Sequence, residues 1–424
     1  MMYSLDGQTL DLRGEAGQQV LADIHRDPSR RPGCLCNPSE DGGVPMYVAR
    51  IGDRYYLKRM PGSGPEHTPD CGSWSPPAEL SGLAPLLGTA IRDNPDTGTT
   101  RLGLGFALTR HPGRDTSTDS ADRENTDGGQ TRLSLRSLLH YLWEESGLTR
   151  WTPALAGKRN WGMVRSRIQR AADDKIIINR KPLTEYLYLP ETFSSTHKPE
   201  IAARRAVALQ RLTDTSANTK LMLLIGEVKD LRPARFGRNA VIVKHLPDFP
   251  ILADETLATH LHTRFSTEFT LRQAICDSHL ILAGTFSLSS AGVAVAHEAA
   301  LMTVTRDWIP FDTTSDHALL GTLDQQRRRY VKSLRYLVPA AEPVACVILT
   351  DTDPPTPCYL IDDQQNQVPE VQGPQWIWNT STDICMPPLP PPASGIPRPT
   401  VIRANSSVAR HRDASCDTAG PEYA

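Results

Sequence analysis

The chain lacks an apolar run long enough to cross a bilayer. Its longest, LMLLIG and HLILAG, fall far short of the roughly 20 residues a membrane helix needs, so no membrane partner is expected. Its first residues, MMYSLDGQTLDLRGEAG, have no basic stretch followed by an apolar one, and do not read as a secretory signal. The expectation is a soluble, cytoplasmic protein. It also lacks charge of one sign: 46 Lys and Arg face 48 Asp and Glu, a net of −2. That excludes a uniformly cationic nucleic-acid coat and an acidic tail protein. There is no Walker A sequence, no G-x-S-x-G elbow and no Rossmann glycine fingerprint. An autonomous P-loop ATPase is therefore not expected. His297-Glu298-Ala299-Ala300-Leu301 begins like a zincin, but Leu301 stands where the second histidine belongs. No repeat of fixed period is present. No motif decides whether the chain catalyses a reaction.

What is in excess is proline: 35 in 424 residues, about 8%, against a usual ~5%. The prolines concentrate at the end, where residues 387–424 have little to bury and read as a disordered tail. A polar stretch, residues 111–130, reads as a linker. Three foldable blocks remain, and the fold class they indicate is α+β. Residues 1–110 read as β-rich, with a hairpin of MYVARIG and RYYLKRM turning at Gly52-Asp53. Residues 131–215 read as helical with one hairpin. Leu135, Leu138, Leu139 and Leu142 share one helix face, Gly147 stops that helix, and Asn160 caps the next. KIIIN and LTEYLYLP read as the strands of the hairpin, with its turn at residues 179–182. Residues 216–386 alternate strand-like runs with two helical segments, an α+β domain on a mixed sheet.

Eight cysteines in a chain of this kind read as thiols or metal ligands rather than a disulfide framework. Cys34, Cys36, His67 and Cys71 form the donor set of a structural zinc site, and the hairpin between the two pairs would bring them together. Gly33, Gly62 and Gly64 let the backbone turn beside the ligands. Four protein donors leave no position for water, so zinc would be structural. The other cysteines show no ligand spacing.

Charge is unevenly spread. From Arg132 to Arg180, ten basic residues face four acidic ones, a local net of +6 that leaves −8 for the rest. Helix, loop, helix and hairpin in that order describe a winged helix with the helix after Asn160 as its recognition helix. Arg165, Arg167 and Arg170 would face DNA, Lys158 and Arg159 would meet phosphate at the helix start, and Arg180 and Lys181 would tip the wing. A second basic stretch, RRRYVKSLRY, continues the second helical segment and would place Arg328, Lys332 and Arg335 on one helical stripe. The plainer alternative for both is a solvated basic face. Glu227 and Lys229 form an ExK on a strand, half of a metal-dependent nuclease site, with Asp214 the nearest upstream acid. His260 and His262 read as ordinary surface histidines, and Asp351-Thr352-Asp353 as a turn.

Several strings are familiar together: CLC with HTPDC, LLHYLWEESGLTRW, GKRNWGMVR, LIGEVKDLRPARFGRNAVIVKHLPDFP, RDWIPFD, RRRYVKSLRY and VILTDTDPPTPCYLI. Through them the chain resembles an uncharacterised bacterial domain-of-unknown-function family found on integrative and conjugative elements and plasmids. The resemblance covers the chain to about residue 386, apart from the linker. It implies a mobile-element setting and no particular activity, and Cys34, Cys36, His67 and Cys71 match the family's cysteine and histidine pattern. The functional expectation is a DNA-binding accessory protein of a mobile element with a structural zinc site. The alternatives are a metal-dependent nuclease and a scaffold for a protein partner from the element's machinery.

Overall fold

A computed structural model describes residues 2–12, 14–27, 29–37, 42–110, 131–177, 181–213, 219–235, 237–339, 342–362 and 373–393. The expected linker, 111–130, and residues 394–424 lie outside the described residues. Five short strands open the chain: β1 (Tyr3–Leu5), β2 (Gln8–Leu10), β3 (Gly33–Cys34), β4 (Val44–Ile51) and β5 (Arg54–Arg59), with α1 (Gly14–Arg26) before β3. They form one sheet in the order β2-β1-β3-β4-β5. The turn falls where the sequence places it: Ile51 pairs with Arg54, and Gly52 takes φ +59° at the first central position. A second, smaller sheet follows, with β6 (Ile91–Asn94) and β7 (Thr99–Leu102) antiparallel. β8 (Thr109–Arg110) ends the block.

The middle block keeps its local signals, and its short strands also pair outside the block. α2 (Leu135–Glu145) buries Leu135, Leu138, Leu139 and Leu142, and the chain leaves it through Gly147 at φ +66°. β9 (Arg150–Trp151) leads to α3 (Trp161–Ala172), which buries Trp161, Val164, Ile168 and Ala172. The Asn160 side chain accepts the Met163 amide N–H at 3.0 Å, as a cap should. The expected hairpin is seen in part: Ile176 bridges Pro182 antiparallel and the Ile177 amide donates to the Lys181 carbonyl oxygen at 2.8 Å, while residues 178–180 between them lie outside the described residues. β10 (Lys175–Ile176) pairs in parallel with β7, and β11 (Leu187–Tyr188) in parallel with β13 (Met222–Pro233). Beyond that bridge the two arms join different sheets. α4 (Lys198–Ala208) and β12 (Thr219–Lys220) close the block, β12 pairing with β8.

β13 begins a closed barrel. β14 (Asn239–Val243), β15 (Ile251–Ala253), β16 (His279–Leu288) and β17 (Ala294–Val304) complete it. β13 pairs with β14, β14 with β15, β15 with β17, β17 with β16, and β16 with β13 again. All of these are antiparallel except β15 with β17. α5 (Glu255–Arg264) and α6 (Ser266–Ala274) lie between the third and fourth barrel strands, and Leu257 and Leu261 of α5 share a buried cluster with Leu224, Val241, Ile251 and Phe286. That cluster also holds Leu86, Leu102, Leu138 and Ile168, so all three sequence blocks contribute to one core.

α7 (Thr314–Gln325) precedes the last sheet, formed by β18 (Tyr330–Lys332), β19 (Val347–Leu349), β20 (Thr356–Ile361) and β21 (Trp376–Asn379) in the order β21-β20-β19-β18-β9. RRRYVKSLRY is therefore not a helix. α7 ends at Gln325, Arg327 takes φ +56°, and all three residues of β18 are buried. Residues 387–393, read from the sequence as the start of a disordered tail, instead dock on this sheet. The Trp376 indole donates to the Pro388 carbonyl oxygen at 3.1 Å, and the Ala393 amide donates to the Asp351 carbonyl oxygen at 2.8 Å. Arg328 reaches the Pro390 carbonyl oxygen at 2.7 Å.

Arg328 forks onto Asp351, with both bonds at 2.8 Å and both side chains about 5% exposed or less. Removing one partner of such a pair leaves the other charge buried and unmatched. Arg328→Met is expected to lose roughly 3–5 kcal/mol of unfolding free energy. Adding Asp351→Leu should recover most of that loss. Urea unfolding midpoints measure both, and an unchanged midpoint in the single variant would contradict the role given to the pair.

Candidate metal centre

Two backbone devices bring the Cys/His set together. β3 sits between β1 and β4, which places Cys34 under the sheet, while the β4–β5 hairpin carries the chain back to His67 and Cys71. Glycine is required at two points beside them. A Cβ at Gly33 would collide with the Gly42 carbonyl oxygen, and one at Gly64 with the Ser75 hydroxyl. The four donor atoms of Cys34, Cys36, His67 and Cys71 lie within 4.8 Å of one another. Cys34 Sγ is 3.7 Å from Cys71 Sγ, and His67 Nδ1 is 3.3 Å from Cys36 Sγ and 3.7 Å from Cys71 Sγ. A tetrahedral zinc with bonds of about 2.3 Å to sulfur sets its thiolates about 3.8 Å apart. The spacing thus suits zinc with His67 Nδ1 as its nitrogen ligand, and leaves no open position.

The electrostatics ask for a cation. Burial pushes the Cys34 thiol up to about 12 and raises Cys71, while burial also holds His67 below the usual histidine range, in the neutral form a ligand needs. Burial would raise Cys36 as well, but hydrogen bonds with Thr68, Cys34 and Cys71 outweigh it and lower that thiol, and a cation among the sulfurs would hold all three as thiolates. The Ser73 amide already donates to Cys71 Sγ at 3.4 Å, a bond that favours the thiolate.

The knuckle is braced by residues that motif reading did not find. Arg150 donates to the carbonyl oxygens of Pro69 and Trp74 and lies over the Trp74 ring. Arg329 pairs with Asp70, inside the His67–Cys71 segment. Cys34, Val44, Met46, Cys71 and Trp74 share a buried cluster with Val331, Ile348 and Tyr359 of the last sheet.

The other expected site residues divide. Lys158, Arg170 and Lys181 are exposed, and Arg165 and Arg167 half-buried. Arg165 Nε donates to the Leu189 carbonyl oxygen at 3.0 Å, and Arg167 to that of Ser146 at 3.5 Å. Arg180 lies outside the described residues. Arg159 is buried, donating to the carbonyl oxygens of Leu148 and Asp307 at 2.7 and 3.2 Å, so it cannot meet a phosphate. The same correction holds for Arg328, locked on Asp351, and for Lys332, buried against Asp316 at 3.1 Å. Arg335 is half-buried and donates to the carbonyl oxygens of Pro339 and Glu342.

Glu227 is buried and accepts from Lys244 Nζ and His279 Nδ1, each at 2.8 Å. Lys229 is exposed, and the register of β13 shifts between Val228 and Asp230. The structure brings Glu227 a lysine and a histidine where the nuclease reading needs a second carboxylate, and Asp214 lies outside the described residues. No helix among the described residues is long and apolar enough to cross a membrane.

Sequence reading also passed over the β13–β14 hairpin. Lys229, Arg232, Arg235 and Arg238 are all exposed, with Asp230 the one acid among residues 229–238. Among the described residues none of the four makes an ion pair. The signal was present as KDLRPARFGR, a dense basic run with one aromatic.

Over residues 3–380 the chain matches the model of a family described as "Protein of unknown function (DUF1173)". No curated protein and no solved structure matches it.

One zinc per chain is expected by elemental analysis after purification without added metal. Cys36→Ser should lower that stoichiometry and the thermal midpoint together. Because thiolates must be deprotonated to ligate, affinity falls as pH falls, and acid should release the metal. Natively purified protein free of zinc would contradict the assignment.

Proposed function

We propose, for a chain that belongs to the DUF1173 family of proteins of unknown function, that it binds nucleic acid through its barrel. The order β13-β14-β15-β17-β16, closed on β13, with helices between the third and fourth strands, is that of the oligonucleotide/oligosaccharide-binding barrel. Such barrels bind with the face of their second and third strands and with the loops joining strands one to two and four to five. A fold assigns no ligand by itself. The observation that carries the reading is the first of those loops in this chain. It is the β13–β14 hairpin with Lys229, Arg232, Arg235 and Arg238, four exposed cations that make no ion pair among the described residues.

Polyanions release counterions when they meet such a surface, whereas neutral saccharides do not. The hairpin therefore favours a nucleic-acid strand over a sugar, and the groove of this barrel class favours a single strand. The basic surface of α3 contributes less than its sequence promised, because Arg159 is buried and Arg165 and Arg167 donate to backbone carbonyls. The metal-held N-terminal module acts as scaffold in this reading, since its cluster packs on the last sheet rather than on the hairpin. An accessory role in handling the DNA of a mobile element is the setting that the sequence resemblance implies.

The test is fluorescence anisotropy with a labelled single-stranded oligonucleotide across a salt series. Wild type should bind with an affinity that falls with salt. Neutralising Lys229, Arg232, Arg235 and Arg238 to Gln should weaken binding at least tenfold and flatten the log–log salt slope by about 0.7 per lost phosphate contact. The unfolding midpoint should not change, because the four residues are exposed. Salt-independent binding by wild type, or equal slopes for the two proteins, would overturn the reading.

A further inference from the structure

A cleft of about 730 Å³ opens between the start of α2, the start of α7, α5, β17 and the chain after β18. Small-molecule sites have this size. One wall is cationic. Arg136 is held by Asp312 at 3.0 Å and Glu268 at 3.2 Å, and Lys332 by Asp316, so these charges are already matched. Arg132 is half-buried and makes no ion pair among the described residues, while Arg335 donates only to carbonyl oxygens. Arg335 also helps to hold the Asp312 carboxyl below the usual range, so the charge that remains available is that of Arg132.

Two further features point at the same place. Ser134 and Thr313, which cap α2 and α7, both line the cleft, so two helix amino ends face it. Ser333 lines it as well, at 5% exposure, and its buried hydroxyl has no hydrogen-bond partner. An orphaned hydroxyl, an arginine without an ion pair among the described residues and two helix ends lining one cleft can seat an oxyanion. The rest of the cleft has another character. Leu257, Leu261, Leu337 and Val338 offer apolar surface, with His260 and Glu298 among them. Burial raises the Glu298 carboxyl, which favours its protonated, donating form, and Asp362 completes the acidic lining.

We propose that this cleft binds a nucleoside 5′-monophosphate group. The phosphate sits against Arg132, Ser333 and the two helix ends, the ring system lies on the apolar side, and His260 and Glu298 meet its edge. The chemistry is the same whether the group is a free nucleotide or the phosphorylated 5′ end of a strand. The proposal does not rest on the barrel reading, for it concerns other residues.

Calorimetric titration of the full chain with adenosine 5′-monophosphate, thymidine 5′-monophosphate, adenosine and inorganic phosphate tests it. Short oligothymidylates with and without a 5′-phosphate form a second arm, run on the Lys229/Arg232/Arg235/Arg238→Gln background so that barrel binding does not mask the result. Monophosphates should bind at least tenfold more tightly than adenosine, and Arg132→Ala and Ser333→Ala should each weaken them without moving the unfolding midpoint. Should Arg132→Ala not fold, Arg132→Gln serves in its place. Tight monophosphate binding with no preference between the oligonucleotides supports the free nucleotide. A preference for the 5′-phosphorylated oligonucleotide that Arg132→Ala abolishes supports the strand end. Equal binding of monophosphate and adenosine, together with no 5′-phosphate preference, overturns the proposal even if the salt-dependent strand binding holds.

Discussion

Two buried cations four residues apart hold this protein in register. Arg328 lies just before β18 and Lys332 ends it, and each is matched inside the structure by a carboxylate from another element, Asp351 after β19 and Asp316 on α7. An isolated charge in such a place would be prohibitively costly, so the pairings fix how α7, β18 and β19 can lie. Between the two cations, Tyr330 enters one buried cluster and Val331 another. The second of these clusters contains Cys34 and Cys71. Arg329, the next residue along, pairs with Asp70 of the metal knuckle. Five consecutive residues thus tie the middle block through β9, the last sheet through β19 and the N-terminal module through Asp70.

That strand explains why the sequence misled where it did. RRRYVKSLRY has the composition of a solvated helix face, and the carboxylates that pair with its Arg328, Arg329 and Lys332 lie 16 or more positions away. Net-charge counting fails for the same reason. Lys175 adds to the +6 of the middle block, yet it is 1% exposed and held by Glu145 and Asp174. Local signals fared better because their physics is local. The Leu135, Leu138, Leu139 and Leu142 face, the Asn160 cap, the Gly147 stop and the Gly52 turn each need only a few neighbours. The Cys/His set was legible because one hairpin joins its two halves. The barrel was not, because its closure depends on β13 meeting β16 and on β15 meeting β17 in parallel, pairings that periodicity does not encode.

The metal set and the last sheet solve one problem between them. The N-terminal module has little core of its own: besides the cysteine cluster, Leu5, Leu21, Ile24 and Val48 form its separate buried group. A module so small needs a staple or a neighbour. Here it has the means for both. Four donors could close it from within, and Val331, Ile348 and Tyr359 extend its core from outside. Arg150 adds a third tie, from β9 to the backbone on either side of Cys71. A metal held by the four donors would therefore act beyond the knuckle, on the last sheet that Arg329 leads into.

β17 links the two surfaces to which ligands are assigned. Within the barrel it pairs with β15, the third strand of the proposed nucleic-acid face, and with β16. On its other side Glu298, Ala299 and Ala300 line the cleft. Its register shifts between Thr285 and Phe286, and there His297 is held from two sides, by Arg110 and by Ser287, each at 2.8 Å. Burial lowers His297 to about 4, so near neutral pH it is an uncharged bridge rather than a cation competing for anions. A group seated against Glu298 thus touches a strand whose opposite neighbours belong to the barrel. Coupling between cleft and barrel, where it exists, has a short physical route through β17, since a packed strand cannot shift on one face alone.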